Sequence, residues 1–145
     1  MRLTRHTDYS LRVLLYLGAR PHRLCSIAEI ARGYDISQNH LMKVVNHLGR
    51  TGFVTSVRGR SGGIRLARSP ETINVGALVR ETEEDFNLVD CPNCILNEAC
   101  GITGVLGQAL AAFMAVLDRH SLADLLDDPA SLRQLIGLER VPISR

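Results

Sequence analysis

Phe53-Val54-Thr55-Ser56-Val57-Arg58-Gly59-Arg60-Ser61-Gly62-Gly63-Ile64-Arg65-Leu66-Ala67 is the stretch on which the fold turns (residues 53–67). Two short runs, 53–57 and 63–67, carry β-branched and apolar residues in strand fashion. The tip between them holds glycines and two arginines, the composition of a tight hairpin turn presenting positive charge. A basic hairpin is a wing only if a helix pair precedes it, so the residues upstream decide its meaning.

Ser26-Ile27-Ala28-Glu29 has the spacing of a capping box, with Ser26 as N-cap and Glu29 at the third helical position. It opens a short helix expected to run to about Arg32 and to stop at Gly33. Ser37 is the next N-cap candidate and opens a helix to about Arg50. Leu41, Val44, Val45 and Leu48 are spaced three or four apart and form its buried side. Gln38, Asn39, His40, Lys43 and His47 lie on the other side. Two helices with a short turn, followed by a basic hairpin, predict a winged helix-turn-helix rather than an ordinary helical hairpin. N-terminal residues of a recognition helix reach base edges, and arginine is favoured at the backbone and in the minor groove. The candidate DNA contacts are therefore Ser37, Gln38, Asn39, His40 and Lys43 on the helix, with Arg58, Arg60 and Ser61 on the wing.

The charge distribution agrees. A net charge of +2 over 145 residues conceals two unlike halves. Residues 1–70 hold twelve Lys and Arg against three Asp and Glu, and residues 71–145 hold five against twelve. That places a polyanion partner on the first half only. Apolar content is 46% with 4% aromatic, so the core is expected to be aliphatic. No apolar run approaches a membrane span, and Met1-Arg2-Leu3-Thr4-Arg5-His6 has no signal-peptide core. The expectation is a cytoplasmic protein with no membrane partner.

Upstream of the helix pair, residues 4–19 read as a helix, with Thr7 or Asp8 in its first turn. Downstream of the wing, Asn74 can cap a short helix from Val75 to about Glu81. Residues 102–120 read as a long helix in which Leu106, Leu110, Phe113 and Leu117 form one apolar stripe. Val105, Ala109, Ala112 and Val116 form a second beside it. So much apolar surface exceeds what a small domain covers, and it predicts a homodimer interface. Ser121-Leu122-Ala123-Asp124 is expected to cap a short final helix, and the chain from about Asp127 to Arg145 reads as a tail. The expected architecture is mostly α with a small β-wing. It divides into a DNA-binding domain (1–80), a cysteine loop (81–101), a dimerisation helix with its short companion (102–126) and a tail (127–145).

Three of four cysteines fall in Asp90-Cys91-Pro92-Asn93-Cys94-Ile95-Leu96-Asn97-Glu98-Ala99-Cys100-Gly101. Thiolates this close converge on a soft metal centre or exchange with one another. In a reducing compartment a disulfide framework is not expected. Three readings stay open on these residues. One is an iron–sulfur cluster, whose fourth iron accepts a weaker donor. Another is a structural zinc completed by a distant residue. The third is a thiol redox pair at Cys91 and Cys94. Cys25 stands apart beside Leu24 and reads as a small core residue. For a fourth cluster ligand the candidate is Asp8, one of only three acidic residues in the basic half. Its alternative role is an ion pair with Arg5 or Arg12.

Taken together, the start Met1-Arg2-Leu3-Thr4-Arg5-His6-Thr7-Asp8-Tyr9, the helix-turn-helix, the wing from Val57 to Leu66 and the cysteine loop resemble the iron–sulfur winged-helix regulators of bacteria (the Rrf-type family). Leu88-Val89-Asp90-Cys91, Cys100 and Ser121-Leu122-Ala123-Asp124-Leu125 resemble most its nitric-oxide-sensing repressors. The spacing of the first two cysteines is shorter than is usual there. The resemblance implies a homodimeric, non-enzymatic repressor of double-stranded operator DNA. It implies a cluster at Cys91, Cys94 and Cys100, 4Fe–4S in preference to 2Fe–2S, and release of DNA when nitric oxide attacks it. Iron-status and cluster-biogenesis regulators share the scaffold and form the alternative reading, with a thiol oxidoreductase as the remaining one.

Overall fold

A computed structural model describes residues 1–136. Its elements follow the order α1 (Arg5–Gly18), α2 (Ile27–Tyr34), α3 (Gln38–Arg50), β1 (Val54–Val57), β2 (Gly63–Leu66), α4 (Val75–Thr82), α5 (Ile102–Asp118) and α6 (Pro129–Leu135). Single 3-10 turns lie at Pro70–Thr72, Cys91–Asn93 and Ala123–Leu126. The fold is mostly helical with one small antiparallel sheet, as expected from sequence.

Local chemistry sets most boundaries. Thr4 accepts from the Thr7 amide and starts α1. Ser26 and Glu29 form both bonds of the capping box, Ser37 accepts from the His40 amide, and Asn74 accepts from Ala77. Each cap satisfies a backbone N–H that the helix leaves unpaired. The second helix passes the expected stop at Gly33 and ends with Asp35 in the left-handed conformation. Gly33 serves packing instead of termination: a Cβ there would lie 2.8 Å from Ile136.

The core is aliphatic and continuous. Val13, Leu14 and Tyr16 of α1 meet Ile30 of α2, Leu41, Val44 and Leu48 of α3, and Ile64 of β2. The wing pairs Val54 with Leu66 and Val57 with Gly63. A bridge between Cys25 and Ile64, with N–H···O bonds of 2.9 and 2.8 Å, pins it to the chain before α2. Cys25 is fully buried, and burial pushes its thiol up to about 11, which keeps it protonated. That is the expected core residue.

Two expectations about the end of the chain need correction. The short element after α5 is a 3-10 turn, held by reciprocal bonds between Ser121 and Asp124. Its Leu122 and Leu126 belong to the winged domain's core. The chain beyond it is no bare tail up to residue 136. Asp128 caps α6, Pro129 occupies its first turn, and Arg133 donates to the Ala19 carbonyl at 3.0 Å. An acceptor followed by proline is a helix start, and α6 covers the surface of α1 and α2. Residues 137–145 lie outside the described part.

Helix α5 makes its hydrogen bonds to α4 and the chain before it at its C-terminal end. Asn74 donates to the Asp118 carbonyl, Arg80 grips the Asp118 carboxylate with two bonds, and Val75 bonds His120. Gly76 allows this approach, because a Cβ there would collide with Asp118. Of its 17 residues only Met114 is buried.

Candidate nucleic-acid interface and cysteine loop

The exposed surface of α3 carries Gln38, Asn39, Met42, Lys43, Asn46 and Arg50. The cap at Ser37 fixes where this surface begins, and Leu41, Val44 and Leu48 hold the opposite side at zero exposure. Gln38, Asn39 and Lys43 are thus presented as expected. His40 is half-buried, its ring edge-on to Tyr9 with centroids 4.8 Å apart. His47 is not on the free surface. It sits between α1 and α4, with Nδ1 at 2.6 Å from His6 Nε2 and Nε2 at 3.4 Å from Glu81. Burial, together with His47 and His40, lowers the His6 pKa. Met42, Asn46 and Arg50 join this surface through the helical repeat, and only the position of α1 shows which flank of α3 is left open.

The wing tip is shaped by its glycines. Gly59 has φ 111°, a conformation that other residues rarely adopt. A Cβ on Gly62 would overlap the Val57 carbonyl. This tight tip leaves Arg58, Arg60 and Ser61 exposed, and Arg65 is exposed on β2 as well. Helix α3 and the wing therefore offer polar and cationic side chains, and among the described residues Lys43, Arg50, Arg58, Arg60 and Arg65 have no acidic ion-pair partner.

The cysteines lie on a separate arm. Cys91 starts a 3-10 turn in which the Cys94 amide donates to the Cys91 carbonyl at 3.0 Å. The Cys100 amide donates to Leu96 at 2.9 Å. All three are free thiols. Cys94 is exposed, and Cys91 and Cys100 are half-buried. Thr103, in the first turn of α5, donates its hydroxyl to Cys91 Sγ at 3.2 Å, a contact that no sequence motif signals. Among the described residues, no three His, Cys, Asp or Glu side chains are placed to hold one metal ion. Zinc would need its thiolates drawn together around a single centre, each about 2.3 Å from it. An iron–sulfur cluster would be held by cysteine thiolates, here those of Cys91, Cys94 and Cys100. Three reduced thiols on a short loop fit the second donor requirement.

Asp8 is not among these groups. Its carboxylate takes two bonds from Arg12, at 2.9 and 3.0 Å, with both side chains partly exposed. The depression around it is lined by Arg2, Arg5, Tyr9 and Tyr34, with no cysteine. Within one chain, Asp8 is thus an ion-pair residue of the DNA-binding half.

Residues 3–128 match the Rrf2 family, described as iron-dependent transcriptional regulators. The chain is 48% identical over 145 residues to the HTH-type transcriptional regulator NsrR of Bacillus subtilis, covering 96% of this chain and 99% of that one. Among solved structures it is similar to T. potens IscR, with TM-score 0.74, 25% identity, and 92% and 91% of the two chains covered. It is also similar to CymR, the global cysteine regulator of B. subtilis, with TM-score 0.73, 26% identity, and 86% and 95% covered.

Proposed function

The chain belongs to the Rrf2 family of transcriptional regulators, and from that premise we propose that it is a homodimeric repressor that holds an iron–sulfur cluster and releases operator DNA in response to nitric oxide. The observation that carries the proposal is the pairing of two surfaces in one chain. One chain carries both a polar recognition helix with a cationic wing and, on a separate arm, a loop of three free thiols.

Residues 1–80 read DNA, residues 81–101 hold the cluster, and α5 makes the dimer. Gln38, Asn39, His40 and Lys43 meet the major groove, with Ser37 ordering the helix start. Arg58, Arg60 and Ser61 meet the backbone or minor groove. Ile102, Val105 and Val116 leave 43%, 60% and 46% of their surface exposed on α5, which supports a second copy as the covering surface. Cys91, Cys94 and Cys100 supply three thiolates. Asp8 of the partner subunit supplies the fourth donor. The exposed pair with Arg12 that it would exchange is worth only a fraction of a kcal/mol to about 1 kcal/mol. Three thiolates with one harder oxygen suit 4Fe–4S better than 2Fe–2S. The Thr103 hydroxyl stabilises negative charge on Cys91. When bound, the cluster supplies iron that nitric oxide ligates in competition with these side chains.

Anaerobic purification followed by visible absorption tests the cluster. Replacing Cys91, Cys94 or Cys100 with Ala should each abolish a stable sulfur-to-iron band, and Cys25→Ala should keep it. A colourless wild type with thiol reductase activity would favour an oxidoreductase. A coloured protein that leaves DNA on iron chelation but not with nitric oxide would replace this reading with an iron-status regulator.

A further inference from the structure

The last turn of α4 is bound to two helices at once. Thr82 is 3% exposed, and its hydroxyl lies 2.9 Å from Thr7 Oγ1 and 3.0 Å from the Leu78 carbonyl. Thr7 has no exposed surface. One residue on, Glu83 Oε1 accepts from the Thr4 amide at 2.7 Å and from the Thr4 hydroxyl at 3.0 Å. Thr4 is the residue that caps α1. One residue back, Glu81 reaches His47 of α3, and His47 meets His6 of α1. Three consecutive residues thus join the end of α4 to the first turn of α1 and to the recognition helix, and α1 and α3 join each other through the two imidazoles.

This corner is also where the chain leaves for the cysteine loop. Glu84 follows directly, and no helix or strand intervenes before Cys91. A pull along residues 84–90 is delivered first to Glu83. The Thr7–Thr82 bond is closed to water, so parting the two hydroxyls would lose it without replacement, leaving Thr82 its bond to the Leu78 carbonyl and Thr7 its contact with Thr4 Oγ1 at 3.2 Å. Moving α1 carries His6, and the 2.6 Å contact passes that motion to His47. His47 lies one helical turn from Lys43, which is proposed to read DNA, and from the exposed Arg50.

We propose that the Glu83–Thr4 clasp, seated on the buried Thr82–Thr7 pair, is the intrachain link through which the cysteine loop sets the position of the recognition helix. The inference rests on the cluster-dependent reading above. Glu83, Thr82, Thr4 and Thr7 act in it as positioning residues.

The test uses the full-length dimer, purified anaerobically, with and without its cluster. An operator fragment chosen by selection from random DNA reports affinity in both states, and amide exchange reports α1 and α3. In the wild type, loaded protein should bind more tightly than cluster-free protein, by a ratio on the order of tenfold. Glu83→Ala should keep the visible spectrum, bring that ratio close to one, and speed exchange over residues 38–50. Glu83→Gln should retain both, because its amide oxygen still accepts from Thr4. Thr82→Val should follow Glu83→Ala. A Glu83→Ala protein with wild-type ratio, or with both affinities lowered equally, would overturn the link. A wild-type ratio of one would overturn the cluster-dependent function itself. The clasp would then stand or fall on whether Glu83→Ala alters exchange over 38–50.

Discussion

The winged domain and α5 treat their apolar residues in opposite ways. Tyr16, Leu41 and Leu48 are wholly buried inside one chain, whereas Val105 of α5 keeps 60% of its surface exposed. Both segments are rich in Leu, Val and Ala, so composition does not separate them. The domain folds its apolar residues onto each other through capped helices and a pinned wing. Helix α5 is tied at its Asp118 end by Asn74 and Arg80, half-buries Leu106, Leu110, Phe113 and Leu117, and leaves Ile102, Val105 and Val116 exposed. The first region buries its apolar residues within one chain, and the second leaves several of them exposed.

Substitutions of similar size should therefore have different consequences in the two regions. The largest effect on chain stability is expected in the domain. Leu48→Ala should cost about 2–5 kcal/mol, read from denaturant unfolding. Val105→Glu should leave the monomer's unfolding free energy within about 0.5 kcal/mol, while shifting sedimentation toward monomer. Equal losses at the two sites would erase the distinction.

A smaller effect concerns the acid edge of the domain's stability. Burial raises the Glu29 carboxyl, but bonds from Arg23, the Ser26 amide and Tyr16 outweigh it and bring the pKa from 4.5 to about 2. A carboxyl depressed on folding contributes stability that is complete above its unfolded pKa and is lost as protons bind the native state. Stability from Glu29 should fall between about pH 4.5 and pH 2. Glu29→Gln should cost about 1–2 kcal/mol at pH 7 and flatten that slope. An unchanged acid slope would remove Glu29 from the linkage.

The smallest effect is expected at the wing. Arg60→Ala should leave stability unchanged, weaken DNA binding about equally across sequences, and lower the salt slope by about one contact. Altered base preference with an unchanged slope would move Arg60 from backbone to base contact.

What the sequence made legible was local. The capping box at Ser26 and Glu29, the caps at Ser37 and Asn74, the glycine-shaped wing and the buried Cys25 each depend on residues near one another in the chain. Distant pairings left no pattern to read. Thr7 and Thr82 are separated by 75 positions, and either threonine alone looks like an ordinary helical residue. The spacing of His47 from His40 and Lys43 fits the free side of α3. Only the position of α1 and α4 shows that this flank is covered. Gly33 reads as a helix stop because its partner, Ile136, caps a helix about 100 residues later. That helix had a local signal in Asp128-Pro129, overlooked among the acidic residues around it. In the candidate site, the thiols and the exposed polar face were legible by residue type. Thr103 beside Cys91 and the Glu83 clasp were not, because hydroxyls and carboxylates occur everywhere on surfaces.

The central claim is that DNA binding depends on what the cysteine loop holds. Its most direct test is fluorescence anisotropy of an operator fragment bound to anaerobically purified, cluster-loaded protein during titration with nitric oxide. Anisotropy should fall to the free-DNA value within a few equivalents of nitric oxide per cluster, while a Cys91→Ala protein should show no such titration. A wild-type complex that stayed intact through excess nitric oxide would contradict the claim.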